Sequence, residues 1–443
     1  MAKISVLTTT PLSGYNHIDA LLNSSPDWNY FEPEVANTLF YSFGLPTMST
    51  TSATGEVVFT PQQKFYAIQA FAELAKYTGI RFVETSDPAA AQIVLCNADI
   101  TSSAQTMGLA SWRAGYQPLP NGEFTDYNAY GTLYMDNKEF GAQNANLAPG
   151  TRGYETMLHE LGHLIGLKHP HEANPDNPAM LPAGQDGAYY TVMSYSTFSA
   201  PGTTFATYDI AALRWLYGGD GLGGLRGASG GGVYLSGTPF ADTLNGTAFS
   251  DMFEGNLGDD VINGGAGLDF VNVGVPRYLM TVERTANGYS LGDGSSTDQL
   301  VGIERIVYNG GNIALDIDGA GGQAYRLYNA VLGRTPDSAG LGFWLSNLDK
   351  GVSLSAVAGA MMGGDEFVAN FGSNLTNMQL VQTLYQNILD RPAEQAGVNY
   401  WVGALDAGTI SQSDALAMIS ESTENRTSVD PTIANGFMYA PWG

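Results

Sequence analysis

The chain has 443 residues, enough for two to four domains, and 44% of them are apolar, which excludes wholesale disorder. Its 43 acidic residues against 18 basic ones give a formal charge of −25, which excludes nucleic acid as a partner and favours cations. The single cysteine, Cys96, rules out an intramolecular disulfide, and no apolar run is long enough to span a membrane.

Met1 to Pro11 lacks the positive-then-apolar order of a signal peptide. Residues 60–79 carry Phe65, Ile68, Phe71 and Leu74 at helical spacing, which predicts a helix buried along that stripe. Strands are predicted over 80–84, over 92–97, where Cys96 reads as an inert core thiol, and over 131–136. A helix, strands and a second helix make residues 13–220 an α/β (α+β) unit. The second helix runs into His159-Glu160-Leu-Gly-His163-Leu-Ile-Gly166-Leu-Lys-His169. On a helix, His159 and His163 share a face one turn apart and can hold one metal ion. Glu160 sits one position round, placed to reach a metal-bound water as general base. Gly166 supplies the left-handed backbone that ends a helix, after which the chain folds back to bring in His169. Three imidazoles leave a fourth position open, the catalytic rather than the structural arrangement of zinc. His171 reads as a surface or outer-layer group and His17 as structural.

This segment resembles the metzincin metallopeptidases, whose HExxHxxGxxH motif is followed by a methionine turn. The matching turn is Tyr190-Thr-Val-Met193-Ser-Tyr195. The resemblance implies that Met193 forms the floor under the zinc. The Met-x-Tyr form looks like the serralysin and astacin branches, in which Tyr195 would be a displaceable fourth protein ligand and an oxyanion donor. Ser13–Leu22 and Tyr208–Gly218 are similar to the start of mature serralysins and to the helix closing their catalytic domain, so the likeness covers about residues 10–275. It implies a zinc endopeptidase acting on proteins or peptides through an activated water, with no Ser or Cys nucleophile. It also implies that residues 1–12 are a short propeptide or flexible N-terminus. With no cysteine there, a cysteine-switch zymogen is excluded.

Gly218 to Gly237 is glycine-dense with little to pack, and reads as a linker or as entry to a glycine-rich fold. A strict period of nine follows, with glycines at 237, 246, 255 and 264, aspartates at 242, 251, 260 and 269, and apolar residues Leu244, Phe253, Ile262 and Val271. This matches the RTX pattern GGxGxDxUx, a parallel β-roll. Two repeats make one winding, so calcium is expected between the Asp242 and Asp260 loops and between the Asp251 and Asp269 loops, about two ions or more. Gly258, Gly265 and Gly267 are the turn glycines of the calcium loops; Thr238, Phe240 and Phe249 depart from the pattern. Flanking strands are predicted over 278–285 and 299–308, completing a region at 221–318.

Residues 319–443 read as an all-α domain with an internal duplication. Tyr328, Arg334, Gly340, Trp344, Asp349 and Gly351 recur as Tyr385, Arg391, Gly397, Trp401, Asp406 and Gly408, each offset by 57. Trp344 and Trp401 are expected in the core, and Arg334 and Arg391 in buried ion pairs or helix-end contacts. The region looks like a helical repeat of unresolved function from bacterial secreted and surface proteins, for which attachment to a cell surface or partner is the expectation. The multidomain chain is thus read as a monomeric, secreted zinc endopeptidase stabilised by calcium, leaving by type I secretion as RTX proteins do. The competing reading is a calcium-dependent surface or adhesion protein with an inactive protease domain; the intact Glu160 speaks against it.

Overall fold

The computed structural model describes residues 2–24, 28–48, 50–195, 201–222, 231–389 and 391–442. The chain divides into two compact units, Met1–Phe240 and Ala241–Gly443. The boundaries read from sequence at 220 and 318 fall inside these units.

The first unit contains α1 (Asn16–Asp19), β1 (Thr38–Ser42), β2 (Ala53–Val58), α2 (Pro61–Thr78), β3 (Arg81–Glu84), β4 (Ile93–Ile100), β5 (Gly108–Pro118), β6 (Phe124–Asp136), α3 (Gly141–Asn144), α4 (Arg152–Leu164), α5 (Thr207–Tyr217) and β7 (Tyr234–Ser236). The main sheet has the order β3-β1-β4-β6-β5, with β2 also pairing β4. Strand β4 runs parallel to β1 and β6, and its Ile93-Val94-Leu95-Cys96 run is fully buried, as an interior parallel strand requires. Burial pushes the Cys96 thiol up to about 12, so it is inert. Strand β5 lies antiparallel to β6 at the sheet edge.

Helix α2 starts at a capping box made by Thr60 and Gln63 and stops at Gly79, whose φ is 70°. Its buried face differs from the predicted stripe. Phe65 and Ile68 are exposed, whereas Gln63, Ala67, Ala70, Phe71, Leu74 and Thr78 are buried. The alanines permit close approach to the sheet. Gln63 takes an inward position because its amide donates to Asn97 Oδ1 at 2.8 Å and Asn144 O at 2.9 Å.

The segment read as a flexible N-terminus is docked. Ile4 N–H donates to Gly122 O, Thr10 Oγ1 to Asp176 Oδ2 at 2.7 Å, and Trp215 Nε1 to Pro11 O at 2.5 Å. Within the predicted glycine-rich linker, residues 223–230 lie outside the described residues. Val233 to Ser236 are buried, against the expectation that this stretch packs little.

The second unit opens with β8 (Thr243–Asn245), β9 (Met252–Glu254), β10 (Val261–Asn263), β11 (Phe270–Pro276), β12 (Thr281–Thr285), β13 (Gly288–Gly292), β14 (Thr297–Val301), β15 (Arg305–Asn309) and β16 (Gly311–Ala314). Strands β8 and β10 pair in parallel, as do β9 and β11, in the winding that the nine-residue period predicts. Leu244, Phe253, Ile262 and Val271 are all buried. The predicted run 299–308 is two strands, β14 and β15, in different sheets; the chain breaks at Gly302, whose φ of 59° ends the first. The run 278–285 begins as a 3₁₀ turn, Arg277–Leu279, before β12.

Among the described residues eight α-helices follow: α6 (Ala320–Leu332), α7 (Ser338–Asp349), α8 (Leu354–Met362), α9 (Asp365–Phe371), α10 (Asn377–Leu389), α11 (Gln395–Asp406), α12 (Gln412–Ser420) and α13 (Thr423–Val429). The region is not all-α. Its last element, β17 (Phe437–Tyr439), pairs antiparallel with β16 and extends the order β17-β16-β15-β11-β9. The duplication recurs in contacts. Arg334 lies 5.1 Å over the Tyr328 ring and Arg391 5.1 Å over Tyr385, and their guanidiniums pair with Glu366 and Glu424. Arg334 is exposed and Arg391 half-buried, so neither pair is a buried one and the helix-end alternative is the one that fits. The buried ion pairs belong instead to Arg305, with Asp316 and Asp349, and Arg326, with Glu421 and Asp430. Trp344 and Trp401 are half-buried at the rim of the helical core rather than inside it. Among the described residues, no helix is long and apolar enough to cross a membrane.

Candidate metal centre

Helix α4 is capped by Thr151, whose hydroxyl accepts from Tyr154 N–H, and it buries His159, Glu160, Leu161 and Gly162 in its last turns. The chain leaves it through Gly166, φ 103°, and turns back to His169. The turn is held from outside the motif. Trp28 Nε1 donates to Leu164 O at 2.7 Å, and the Tyr217 hydroxyl to Ile165 O at 2.8 Å, covering carbonyls the helix end leaves open. The buried Lys168 ammonium donates to Ala20 O, Glu172 O and Ala179 O.

The result is a triangle of ring nitrogens. His159 Nε2 lies 3.1 Å from both His163 Nε2 and His169 Nε2, which are 3.0 Å apart. These spacings suit nitrogens each about 2.0–2.1 Å from one shared ion. The tautomers agree. His159 Nδ1 donates to Val192 O at 2.8 Å and His163 Nδ1 to Leu167 O at 2.9 Å, so both Nε2 atoms carry lone pairs inward. Burial, then the neighbouring imidazoles, pull His159 down to about 3 and His163 to about 4, which keeps them neutral. His169 Nδ1 is 2.8 Å from Glu172 Oε1 but is poorly aligned for a hydrogen bond. Three converging imidazole nitrogens, two of them with lone pairs fixed inward, fit a soft-to-borderline cation, and the donor set fits zinc.

Glu160 is buried beside the triad, and burial pushes it up to about 8 while the Ala110 backbone amide opposes the shift. A Cβ added to Gly108 would lie 2.7 Å from both Glu160 Cγ and Thr156 Cγ2. Glycine at this point of β5 therefore lets the sheet edge close on the carboxylate. Met193 is fully buried, and a Cβ on Gly162 would come within 2.6 Å of its Sδ. The methionine thus packs against α4 between His159 and His163. Its turn is gripped by Asp209, at the start of α5, which accepts from Thr191 Oγ1, Val192 N and Ala206 N. The Tyr195 ring is mostly exposed and lies 4.4 Å from His169 and 5.7 Å from His159. Partial burial pushes its hydroxyl up to about 12, so it stays a donor at neutral pH. A cleft of about 900 Å³ opens between β5 and α4, lined by these groups with Trp112, Gln143 and Arg152.

His171 stacks on His169 and lies 3.5 Å from Asp186, outside the triangle. His17 is buried with Nε2 2.9 Å from Ser236 O. Sequence reasoning missed Gly108, Lys168, Asp209 and Trp28. Only Gly108 and Asp209 left a trace, a glycine opening an alternating strand and an acid in a helix's first turn.

In the roll, Asp251, Asp260 and Asp269 are buried and Asp242 is half-buried. Asp242 N–H donates to Asp260 Oδ1 and Asp251 N–H to Asp269 Oδ1, both at 2.8 Å, which brings together the predicted pairs. Gly258, Gly265 and Gly267 all have positive φ. In the loop where Thr247 and Phe249 replace glycines, Thr247 turns its own N–H and hydroxyl onto Asp251.

Residues 236–271 match the family described as RTX calcium-binding nonapeptide repeat (4 copies). The chain is 30% identical to Serralysin B of Dickeya chrysanthemi over 207 residues, covering 41% of this chain and 39% of that protein. It is 31% identical to Metalloprotease AprA of Pseudomonas entomophila, covering 40% and 36%, and 32% identical to a serralysin of Proteus mirabilis, covering 22% and 25%. The chain is serralysin-like, with RTX repeats. It spans about two-fifths or less of the length of these curated relatives. Residues 324–371 and 358–429 match a domain of unknown function, DUF4214. Among solved structures, the extracellular lipase LipA of Serratia marcescens aligns over 21% of this chain and 19% of its own at 16% identity and a TM-score of 0.13, too slight a likeness to relate the folds.

Proposed function

We propose that the chain is a zinc-dependent endopeptidase that cleaves peptide bonds of proteins. The observation that carries this reading is the 3.0–3.1 Å triangle of imidazole Nε2 atoms with the Glu160 carboxylate buried beside it. His159, His163 and His169 would hold the ion, with Tyr195 beside it. When bound, zinc supplies a Lewis acid that polarises a carbonyl and lowers the pKa of water toward about 7. Glu160 takes the proton of the attacking water and passes it to the leaving amine; burial makes it a stronger base than an exposed carboxylate. The Tyr195 hydroxyl donates to the developing oxyanion. The cleft beside edge strand β5 receives the substrate chain.

The nonapeptide loops bind calcium in the same reading, and the protein acts outside the cell after type I export, as a monomer. The C-terminal helical repeats serve attachment to a surface or partner.

Metal analysis of the full chain paired with casein hydrolysis tests the core of the proposal. One zinc per chain is expected in both wild type and Glu160→Gln, with activity lost on chelation and reduced at least about 10³-fold in the variant. A zinc-free active chain, or an active Glu160→Gln protein, would falsify it.

A further inference from the structure

The period of nine ends at Asn272, and the sequence gives no reason to look for cation ligands beyond it. We propose that the roll carries a third rung of calcium ligands, supplied by Asp298 and by the Gly302–Glu304 turn, which belong to no repeat. The inference rests on reading the repeats as calcium sites and extends that reading by two further sites.

Strand pairing sets the register. Val261 of β10 faces Thr243 of β8 on one side and Gln299 of β14 on the other, both in parallel. Phe270 of β11 likewise faces Met252 of β9 and Arg305 of β15. Thus β14 and β15 make a third winding of the same roll. The step to it is 38 or 35 residues rather than 18, because the β12–β13 hairpin occupies the interval.

Carboxylates follow that register. Asp242 N–H donates to Asp260 Oδ1, and Asp260 N–H in turn donates to Asp298 Oδ1 at 3.1 Å. On the other side, Asp251 N–H donates to Asp269 Oδ1, and Asp269 N–H to Glu304 Oε2 at 2.8 Å. Each acid spends one oxygen on the amide of the preceding winding.

The second oxygens mark where an ion would sit. Asp260 and Asp269 are 1% and 0% exposed, and the Oδ2 atom of each is buried without a hydrogen-bond partner. Among the described residues no lysine or arginine pairs with either. A carboxylate left this way is costly unless a cation compensates it. A Cβ added to Gly255 would overlap Asp260 Oδ2 and lie 3.4 Å from Asp298 Oδ2, so oxygens from two windings converge on this turn. On the other side, a Cβ on Gly246 would meet Gly264 O and Asp251 Oδ2, and one on Gly264 would meet Gly302 O and Asp269 Oδ2. The Gly302 carbonyl therefore stands to Asp269 as the Gly264 carbonyl stands to Asp251, one winding on. Mixed carboxylate and carbonyl oxygens in an irregular cage suit calcium better than magnesium, which demands a near-octahedral shell.

Calcium counting on the full chain tests this, by equilibrium dialysis with wild type, Asp298→Asn, Glu304→Gln and Asp251→Asn. The isosteric changes keep an acceptor for each amide. The wild type should bind more ions than the two repeat pairs supply, and Asp298→Asn and Glu304→Gln should each lose one. A wild-type count of two that falls to one with Asp251→Asn but is untouched by Asp298→Asn and Glu304→Gln overturns the third rung while leaving the repeats as calcium sites. A count of zero removes both. Should the variants fail to fold, amide hydrogen exchange of the wild type still decides. Calcium should protect Thr297–Asp298 and Ile303–Glu304 along with the repeat loops, and protection that stops at Asp269 rejects the proposal.

Discussion

Gly108 contributes no side chain, yet the chemistry next to it depends on that. Any larger residue would meet Glu160 and Thr156 at 2.7 Å and push the carboxylate off its line. Gly108→Ala is expected to keep its zinc and its fold while losing about 10²-fold in kcat/KM, the scale of a misplacement near 1 Å. Zinc content measured beside casein turnover checks this; unchanged turnover would mean that α4 simply gives way. The histidines and Glu160 were readable in the sequence because their meaning is local: one helical turn separates His159 from His163, and one left-handed glycine brings His169 back. Gly108 was not readable, since its role exists only where a strand some fifty positions upstream passes under the helix. Tyr195 was readable as a turn residue, but its distance from the imidazoles was not.

At the scale of elements, α4 gives the site its spacing and α5 holds its floor. Asp209 on α5 is fully buried, and burial raises it from its ordinary range to about 6, with Thr191, Val192 and Ala206 opposing the shift through hydrogen bonds. Between the unfolded value near 4 and the folded value, the native chain keeps a proton that the unfolded chain releases. The contribution of Asp209 is therefore complete below about pH 4 and lost as the pH rises through 6, an amount of about 3 kcal/mol. Wild type should gain more stability than Asp209→Asn on going from pH 7 to 4.5, measured as the difference in denaturation midpoint; equal gains would assign the group an ordinary pKa. Periodicity alone identified α2 but mistook its face. Phe65 and Ile68 outrank Gln63 and Ala67 on any hydrophobic scale, while close packing and a satisfied amide decided the burial. The break of 299–308 into β14 and β15 was hidden for a related reason, since only the roll's winding makes Gly302 a corner.

At the scale of the molecule, a chain charge of −25 and the stacked carboxylates of the roll predict that cations stabilise the second unit. Each site filled at about 100 times its Kd adds about 2.7 kcal/mol to the native state. Calorimetry of the full chain should show the transition of residues 241–443 falling by more than about 10 °C when calcium is chelated. No shift would mean that the roll stands without ions. The nine-residue period made the first two windings legible. The third winding was not, because its ligands have no period, and β17 was not, because three residues after a helical region carry no signal of the sheet they join. That strand has a kinetic consequence. Its Tyr439 hydroxyl accepts from the amide of Asn312, 127 positions earlier, and the eight helices lie inside the loop so formed. The entropy of closing a loop grows only slowly with its length, so the cost falls on the rate: a pairing this distant in sequence is expected to make the β16–β17 edge a late-forming part of the sheet. A C-terminal three-residue strand thus ties the far side of the helices back to the roll's sheet.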